Sequence, residues 1–347
     1  MYLAGKLLQV ISHAQQQDLN TFNFATLLSA HGNLSFNITN TAWSAGKAAL
    51  SAGEESKIHT LILVGAGFNF SLLQSIVEAL SLRTDNVEFT KNKYHCYLDK
   101  SVLNMQFSSN IDEDLQSKAR MLSELFFIDV FIKPPINIAD AGLVVFDMDS
   151  TLIEMECIDE IAKLAGVGEQ VAEVTEKAMQ GEIAFSESLY HRVNCLAGVE
   201  LSALLNIRQR LPYMPGFAAL ISELKGQGWT LVIASGGFTY FANHIKAHFG
   251  FDAAYSNVLE VKDDRLTGKV LGSVVDAQAK ADILQNSAEE HAIPLSKTIA
   301  VGDGANDLVM MERAGTGLAF RAKPQVQEKA DNAVRFSGLE ALLYLLG

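Results

Sequence analysis

The chain has 347 residues, 49% of them hydrophobic and 19% charged, and a formal net charge of −13. That length gives room for a sizeable core and two domains. The acidic balance argues against a nucleic-acid or anionic-membrane surface, yet it leaves room for a locally basic pocket that takes a small anion. No apolar run approaches the ~20 residues needed to span a bilayer. The N-terminus, Met1-Tyr2-Leu3-Ala4-Gly5-Lys6, lacks the layout of a signal peptide. Cys96, Cys157 and Cys195 are too few and too irregularly spaced for a disulfide framework or a metal site. A cytoplasmic protein with reduced thiols is the expectation.

Residues 1–56, rich in Ala, Ser, Asn and Gln, read as a poorly defined, partly helical extension. Residues 57–133 are clearer. Ile58–Val64 reads as a strand and Phe70–Leu82 as a helix with Leu72, Leu73, Ile76, Val77 and Leu80 on its apolar face. Val87–Thr90 and Tyr94–Phe107 read as extended, Ile111–Phe127 as a helix, and Ile128–Ile132 as a last strand. The order β-α-β-β-α-β is the ferredoxin-like pattern. It resembles the small amino-acid-sensing ACT domains, and a packing or dimerisation role without a ligand fits it equally well. Gly65-Ala66-Gly67 after the first strand invites a dinucleotide reading, but Phe70 stands where the third glycine belongs.

Lys133-Pro134-Pro135-Ile136-Asn137 opens a linker over residues 134–140, because two prolines remove two backbone donors. From residue 141 onward the strands Leu143–Phe146, Thr230–Ala234 and Thr298–Val301 alternate with helices. The pattern predicts an α/β fold, a Rossmann-like parallel sheet with helices on both faces. Residues 155–211 interrupt it with helical segments around Ile158–Leu164, Val171–Met179 and Phe185–Leu196. A helical block inserted after the first strand would form a cap that excludes water. Val258–Val261 and Lys269–Val274 flank Asp263-Asp264 as a hairpin.

The chemistry gathers at strand ends. Asp147-Met148-Asp149-Ser150-Thr151 follows the first strand, so two carboxylates stand where open α/β sheets place their sites. Phosphoryl transfer needs a nucleophile, an acid for the leaving oxygen and positive charge around the phosphate. Asp147 is the candidate nucleophile and Asp149 the candidate acid/base. Ser235-Gly236-Gly237 follows the second strand and offers a hydroxyl and backbone N–H groups to phosphate oxygens. Lys280, at the start of a helix, can supply a cation. Val301-Gly302-Asp303-Gly304-Ala305-Asn306-Asp307 brings acidic oxygens that, beside Asp147, would suit a hard cation.

These segments, in this order, resemble the haloacid dehalogenase superfamily over residues 141–342, and most strongly its phosphoserine phosphatases. Ile158-Asp159-Glu160-Ile161-Ala162 and Lys262-Asp263 with Leu266-Thr267-Gly268 add to the likeness. The resemblance implies an aspartyl-phosphate on Asp147, with Asp149 protonating the serine oxygen and then activating water. It implies Mg²⁺ held by Asp147, the Asp149 carbonyl and Asp303, with Asp307 supporting the water shell. Ser235, Gly236 and Lys280 would hold the phosphate, with Asn306 nearby. Glu156 would bind the substrate ammonium and Arg192 its carboxylate, an assignment that suits a guanidinium's paired donors. Met179 and Phe185 would pack over the substrate. The expected substrate is O-phospho-L-serine, with another phosphorylated amino acid or small metabolite, or transfer to an alcohol, as the alternative. Neither nucleic acid nor membrane is an expected partner, and a homodimer stays open.

Overall fold

The computed structural model describes residues 36–39, 42–45, 57–80, 87–95, 97–109, 115–179 and 183–347. Most of the N-terminal extension and Cys96 therefore lie outside the described residues. The chain divides into two compact units, one of Met1–Asn137, Asn332–Ser337 and Ala341–Gly347, the other of Ile138–Asp331 and Gly338–Glu340.

The first unit begins with strands β1 (Phe36–Thr39), β2 (Ala42–Ala45) and β3 (Lys57–Gly65), then helix α1 (Phe70–Ala79). Strands β4 (Val87–Lys91) and β5 (Ser101–Ser109), helix α2 (Leu115–Phe126) and strand β6 (Asp129–Ile132) follow. The strands lie in the order β2-β1-β4-β5-β3-β6, and each pairs antiparallel with its neighbour. The four strands β4-β5-β3-β6 are the ferredoxin-like arrangement that the β-α-β-β-α-β order predicts. Leu61, Leu63, Phe89, Leu103, Met105 and Phe107 belong to one buried cluster with Leu73, Ile76 and Val77 of α1 and Leu122 of α2. Asn69 starts α1 by accepting the Leu72 N–H at 2.8 Å, a side-chain cap where the dinucleotide reading would need backbone donors free. The strand expected from Tyr94 starts later. The Tyr94 N–H turns back onto Asn92 Oδ1 at 2.9 Å, and Leu98 and Asp99 take positive φ, so β5 opens only at Ser101.

The second unit contains β7 (Leu143–Phe146), α3 (Cys157–Leu164), α4 (Gly168–Met179), α5 (Phe185–Cys195), α6 (Leu201–Arg208) and α7 (Phe217–Gly226). It continues with β8 (Thr230–Phe238), α8 (Thr239–Phe249), β9 (Ala253–Lys262), β10 (Arg265–Leu271) and α9 (Ala277–Glu290). Last come β11 (Thr298–Gly302), α10 (Leu308–Arg313), β12 (Thr316–Phe320) and α11 (Pro324–Gln327). Its strands lie in the order β10-β9-β8-β7-β11-β12. β7 pairs in parallel with β8 on one side and β11 on the other. The direction of winding reverses at β7, which is where ligands bind in open α/β sheets. All four β7 residues are buried, as expected of a parallel strand covered on both faces.

Helices α3–α6 form the inserted cap. Its two stems are joined by Glu154 N–H to Pro212 O at 2.7 Å and Met214 N–H to Leu152 O at 3.0 Å. α6 is a helix the sequence reading leaves unassigned. Its apolar residues Leu201, Leu204, Leu205 and Ile207 spread around the helix, and only Leu204 is buried. β9 and β10 form the expected antiparallel hairpin, turning at Asp263 and Asp264, both with positive φ, as a tight hairpin turn requires.

The C-terminal segments return to the first unit as β13 (Asn332–Val334) and α12 (Ala341–Leu346). β13 lies beside β6 and α12 against β3. All six α12 residues are buried, so the helix covers apolar sheet surface that α1 and α2 leave open. The buried Asp129 carboxylate fastens this return. It accepts the N–H groups of Arg335 at 2.7 Å, Phe336 at 3.2 Å and Ser337 at 2.8 Å. Asp129→Ala leaves three backbone donors without their acceptor and should destabilise the first unit by about 2–4 kcal/mol. Urea unfolding of the whole chain would show it as an earlier midpoint, whereas an unchanged midpoint would mean that water replaces the carboxylate.

Candidate active site

Asp147 leaves the end of β7 with its N–H on Val301 O at 2.9 Å, one more rung of the ladder between β7 and β11. The next turn winds tightly, because Thr151, Leu152 and Ile153 all donate their N–H to Met148 O. Ser150 takes a φ of 57°, and its hydroxyl donates to Glu156 Oε1 at 2.7 Å. Thr151 Oγ1 donates to Asp303 Oδ1 at 3.1 Å. These two hydroxyls, which the sequence reading did not single out, orient two of the predicted site carboxylates.

Lys280 is fully buried. Its Nζ donates to Asp147 Oδ1 at 2.8 Å and Asp307 Oδ1 at 2.6 Å. The other Asp307 oxygen accepts the Gly304 N–H at 3.0 Å. Asp147, Asp303 and Asp307 each bring a carboxylate oxygen within 4.8 Å of the other two. Three acidic oxygens this close fit a divalent cation, and hard cations take oxygen ligands of this kind. Glycine is needed twice by close approach. A Cβ on Gly302 would collide with the Asp307 carboxylate, and one on Gly237 with Asp149 and Met148.

Burial and neighbouring charge set the proton affinities. Burial pushes the Asp147 carboxyl up to about 7, with Lys280 pulling it down and Asp307 pushing it further up. Asp303 rises to about 8 through burial and then the charges of Asp147 and Asp307. Lys280 is held above its ordinary value because the two carboxylates outweigh its burial. Asp149 rises well above an ordinary aspartate through burial and then the charge of Glu156, against a hydrogen bond from Cys157. That direction favours the protonated, donating form that a general acid needs.

Ser235 is fully buried, and its Oγ accepts the Gly237 N–H at 2.9 Å. The sequence places Ser235-Gly236-Gly237 after the strand. The structure carries β8 through them to Phe238, with a shift of register against β9 between Ala234 and Phe238. Phe185 of the cap packs against Gly236. Asn306 is half-buried in the 3₁₀ turn Ala305–Asp307.

Glu156 stands at the N-cap position of α3. Arg192, on α5, feels the charges of Asp159, Glu156 and Asp149, which oppose the lowering effect of its burial. Its Nε and the Oγ of Ser188, one helical turn earlier, are buried without a hydrogen-bond partner. A buried unpaired donor is costly, so the Arg192 fork suits an incoming acceptor. Met179 ends α4, and its side chain lies outside the described residues.

A family model described as haloacid dehalogenase-like hydrolase matches residues 144–312. The phosphoserine phosphatase of Vibrio cholerae is 46% identical over 263 residues, covering 76% of this chain and 80% of that protein. The unliganded crystal structure of a probable phosphoserine phosphatase from Vibrio cholerae superposes with a TM-score of 0.68 at 41% identity, over 83% of this chain and 86% of that one. A structure of a phospho-aspartyl intermediate analogue of a phosphoserine phosphatase superposes with a TM-score of 0.56 at 42% identity, over 60% of this chain and 99% of that one.

The raised carboxylates predict a pH-dependent site. Groups whose affinity for protons is raised by folding contribute stability below about pH 4 that is lost as pH rises through their folded values, here about 7 for Asp147 and about 8 for Asp303. With a chelator present, the melting temperature should therefore fall between about pH 6 and about pH 8, and saturating Mg²⁺ should raise it more at the higher pH. A Mg²⁺-induced shift of equal size at both pH values would show that these carboxylates do not receive the cation.

Proposed function

The chain belongs to the phosphoserine phosphatase family of haloacid dehalogenase-like hydrolases, and on that premise we propose that it hydrolyses O-phospho-L-serine to L-serine and phosphate, the last step of serine biosynthesis. One observation carries the reading. A buried aspartate at the switch point of a parallel sheet shares a buried lysine with a second aspartate, and a third carboxylate stands close by. That is a nucleophile, a phosphate-facing cation and a cation-binding acid set in one place.

Asp147 attacks phosphorus, and the bond from phosphorus to the serine oxygen breaks as Asp149 gives that oxygen its proton. The product of this half is an aspartyl-phosphate and free serine. Asp149, now a carboxylate, takes a proton from water. The water oxygen attacks phosphorus, and the bond to Asp147 breaks to release phosphate. Lys280, the Ser235 hydroxyl and the Gly236 backbone hold the phosphate oxygens, with Asn306 beside them.

Asp147, the Asp149 carbonyl and Asp303 would hold Mg²⁺, with Asp307 behind them, and the bound ion would supply charge that offsets the repulsion between Asp147 and the incoming dianion. Mg²⁺ fits this set because it favours a few carboxylates together with phosphate oxygens and water.

Selectivity for an amino acid comes from the cap. Glu156 meets the substrate ammonium and Arg192 the carboxylate, whose oxygen satisfies the buried Nε. Phe185, which packs against Gly236, closes over the substrate and excludes water. A cytoplasmic enzyme is consistent with this reading. Among the described residues, no helix is long and apolar enough to cross a membrane.

Phosphate release from O-phospho-L-serine should require a divalent cation and vanish in Asp147→Asn. Asp149→Asn should lower kcat by about 10²–10⁴-fold, the usual worth of a positioned acid/base. Arg192→Lys should raise KM for phosphoserine about tenfold or more, through loss of the paired donors, while leaving KM for a simple aryl phosphate unchanged. Asp147-dependent release from another ester but not from phosphoserine would retain the chemistry and overturn the substrate.

A further inference from the structure

The register shift in β8 has a cost that one side chain offsets. β8 and β9 run in parallel register to the pair Ala234 and Tyr255, and resume at Phe238 and Asn257. Four residues of β8 thus advance against two of β9, so Ser235-Gly236-Gly237 bulges out of the ladder. A bulge leaves backbone groups without their strand partner, and buried backbone groups need one. Asn257 supplies it. It is 1% exposed, and its Nδ2 donates to the Gly236 carbonyl at 2.8 Å.

The same amide reaches the opposite way. Asn257 Oδ1 accepts the Val275 N–H at 2.9 Å. Val275 precedes Asp276, which caps α9 by accepting the Ala279 N–H at 2.9 Å. The Asp276 carbonyl accepts the Lys280 N–H at 3.0 Å. From Gly236 to the backbone of Lys280 the path therefore runs through Asn257 and one turn of capped helix. A Cβ on Gly236 would also lie 3.6 Å from the Val275 carbonyl oxygen, so the two segments already touch.

We infer that Asn257 is a positioning residue that sets the distance between the Gly236 backbone and Lys280, and thereby the size of the phosphate cradle. The inference rests on the reading of those two groups as phosphate-holding. An amide is suited to the task because it presents a donor and an acceptor on one short side chain. Aspartate keeps the acceptor for Val275 and places a second oxygen against the Gly236 carbonyl. Serine is too short to reach both.

The test uses the full chain with Mg²⁺. It compares the wild type with Asn257→Asp, Asn257→Ser and Trp229→Phe. Trp229→Phe is a stability control, because it removes the buried hydrogen bond from Trp229 Nε1 to the Ile138 carbonyl at the opposite end of β8. Melting temperature, KM for phosphoserine and for p-nitrophenyl phosphate, and the inhibition constant of inorganic phosphate are measured for each. Both Asn257 variants should weaken phosphate inhibition and raise KM for both esters about tenfold, the effect of one lost buried hydrogen bond. The Trp229 variant should melt earlier with its phosphate constant unmoved. Wild-type phosphate inhibition in both Asn257 variants, whatever their melting temperatures, overturns the inference. Should the wild type cleave p-nitrophenyl phosphate and not phosphoserine, the substrate reading fails and the phosphate constants still decide the role of Asn257.

Discussion

A lysine ammonium with no exposure, held between two aspartates, is the constraint around which the second unit is built. Desolvating three charges costs several kcal/mol per ion, and their mutual attraction repays it only with good geometry. The geometry comes from three places in the chain: the end of β7, the second turn of α9 and the turn after β11. A sheet that winds outward from β7 in both directions brings these together. Because the group carries one positive and two negative charges, with Asp303 as a third acid at its edge, its charge is unbalanced toward a cation. Burial first, and the neighbouring carboxylate charges after it, raise the proton affinities of Asp147 and Asp303.

The surroundings of this group keep its parts from relaxing. Gly302 and Gly237 allow carboxylates to approach a backbone where any side chain would collide. Ser150 and Thr151 sit in the same tight turn and orient carboxylates from two other segments, Glu156 and Asp303. One turn of chain thus serves both the acid set and the cap. The cap enters and leaves through stems that hydrogen-bond to each other at Glu154 and Pro212, so it joins the sheet through a narrow neck, a geometry suited to a lid.

The first unit meets a different requirement. An antiparallel sheet with two helices has one covered face, and the opposite face must also be buried when it is apolar. Ile62, Val64, Val102 and Phe131 are all buried although they stand outside the cluster that faces α1 and α2. The C-terminal helix α12 packs on β3. Asn92 donates to the Tyr344 carbonyl at 3.1 Å, and the Tyr344 hydroxyl donates to the Tyr97 carbonyl at 3.0 Å. The end of the chain is in this way part of the first unit's core.

Much of this was legible in the residues alone. Apolar runs that end in Phe146 and Val301 read as strands because a doubly covered parallel strand is hydrophobic throughout, and the acidic motifs that follow them are local in sequence. The β-α-β-β-α-β order of the first unit follows from periodicity in the same way. Other features were not legible, because they depend on pairs far apart in the chain. Continuation of β8 through Ser235-Gly236-Gly237 is decided by β9 and by Asn257, not by the turn-like composition of the segment. The destination of Ala341–Leu346 could not be read, since a helix that is apolar all round does not say which sheet it covers. The burial of Lys280, whose candidacy as a cation the sequence did offer, is the clearest case. Its sequence context is that of a surface lysine, and only the folded sheet, by placing Asp147 and Asp307 on either side of it, supplies the charge that keeps it buried and protonated.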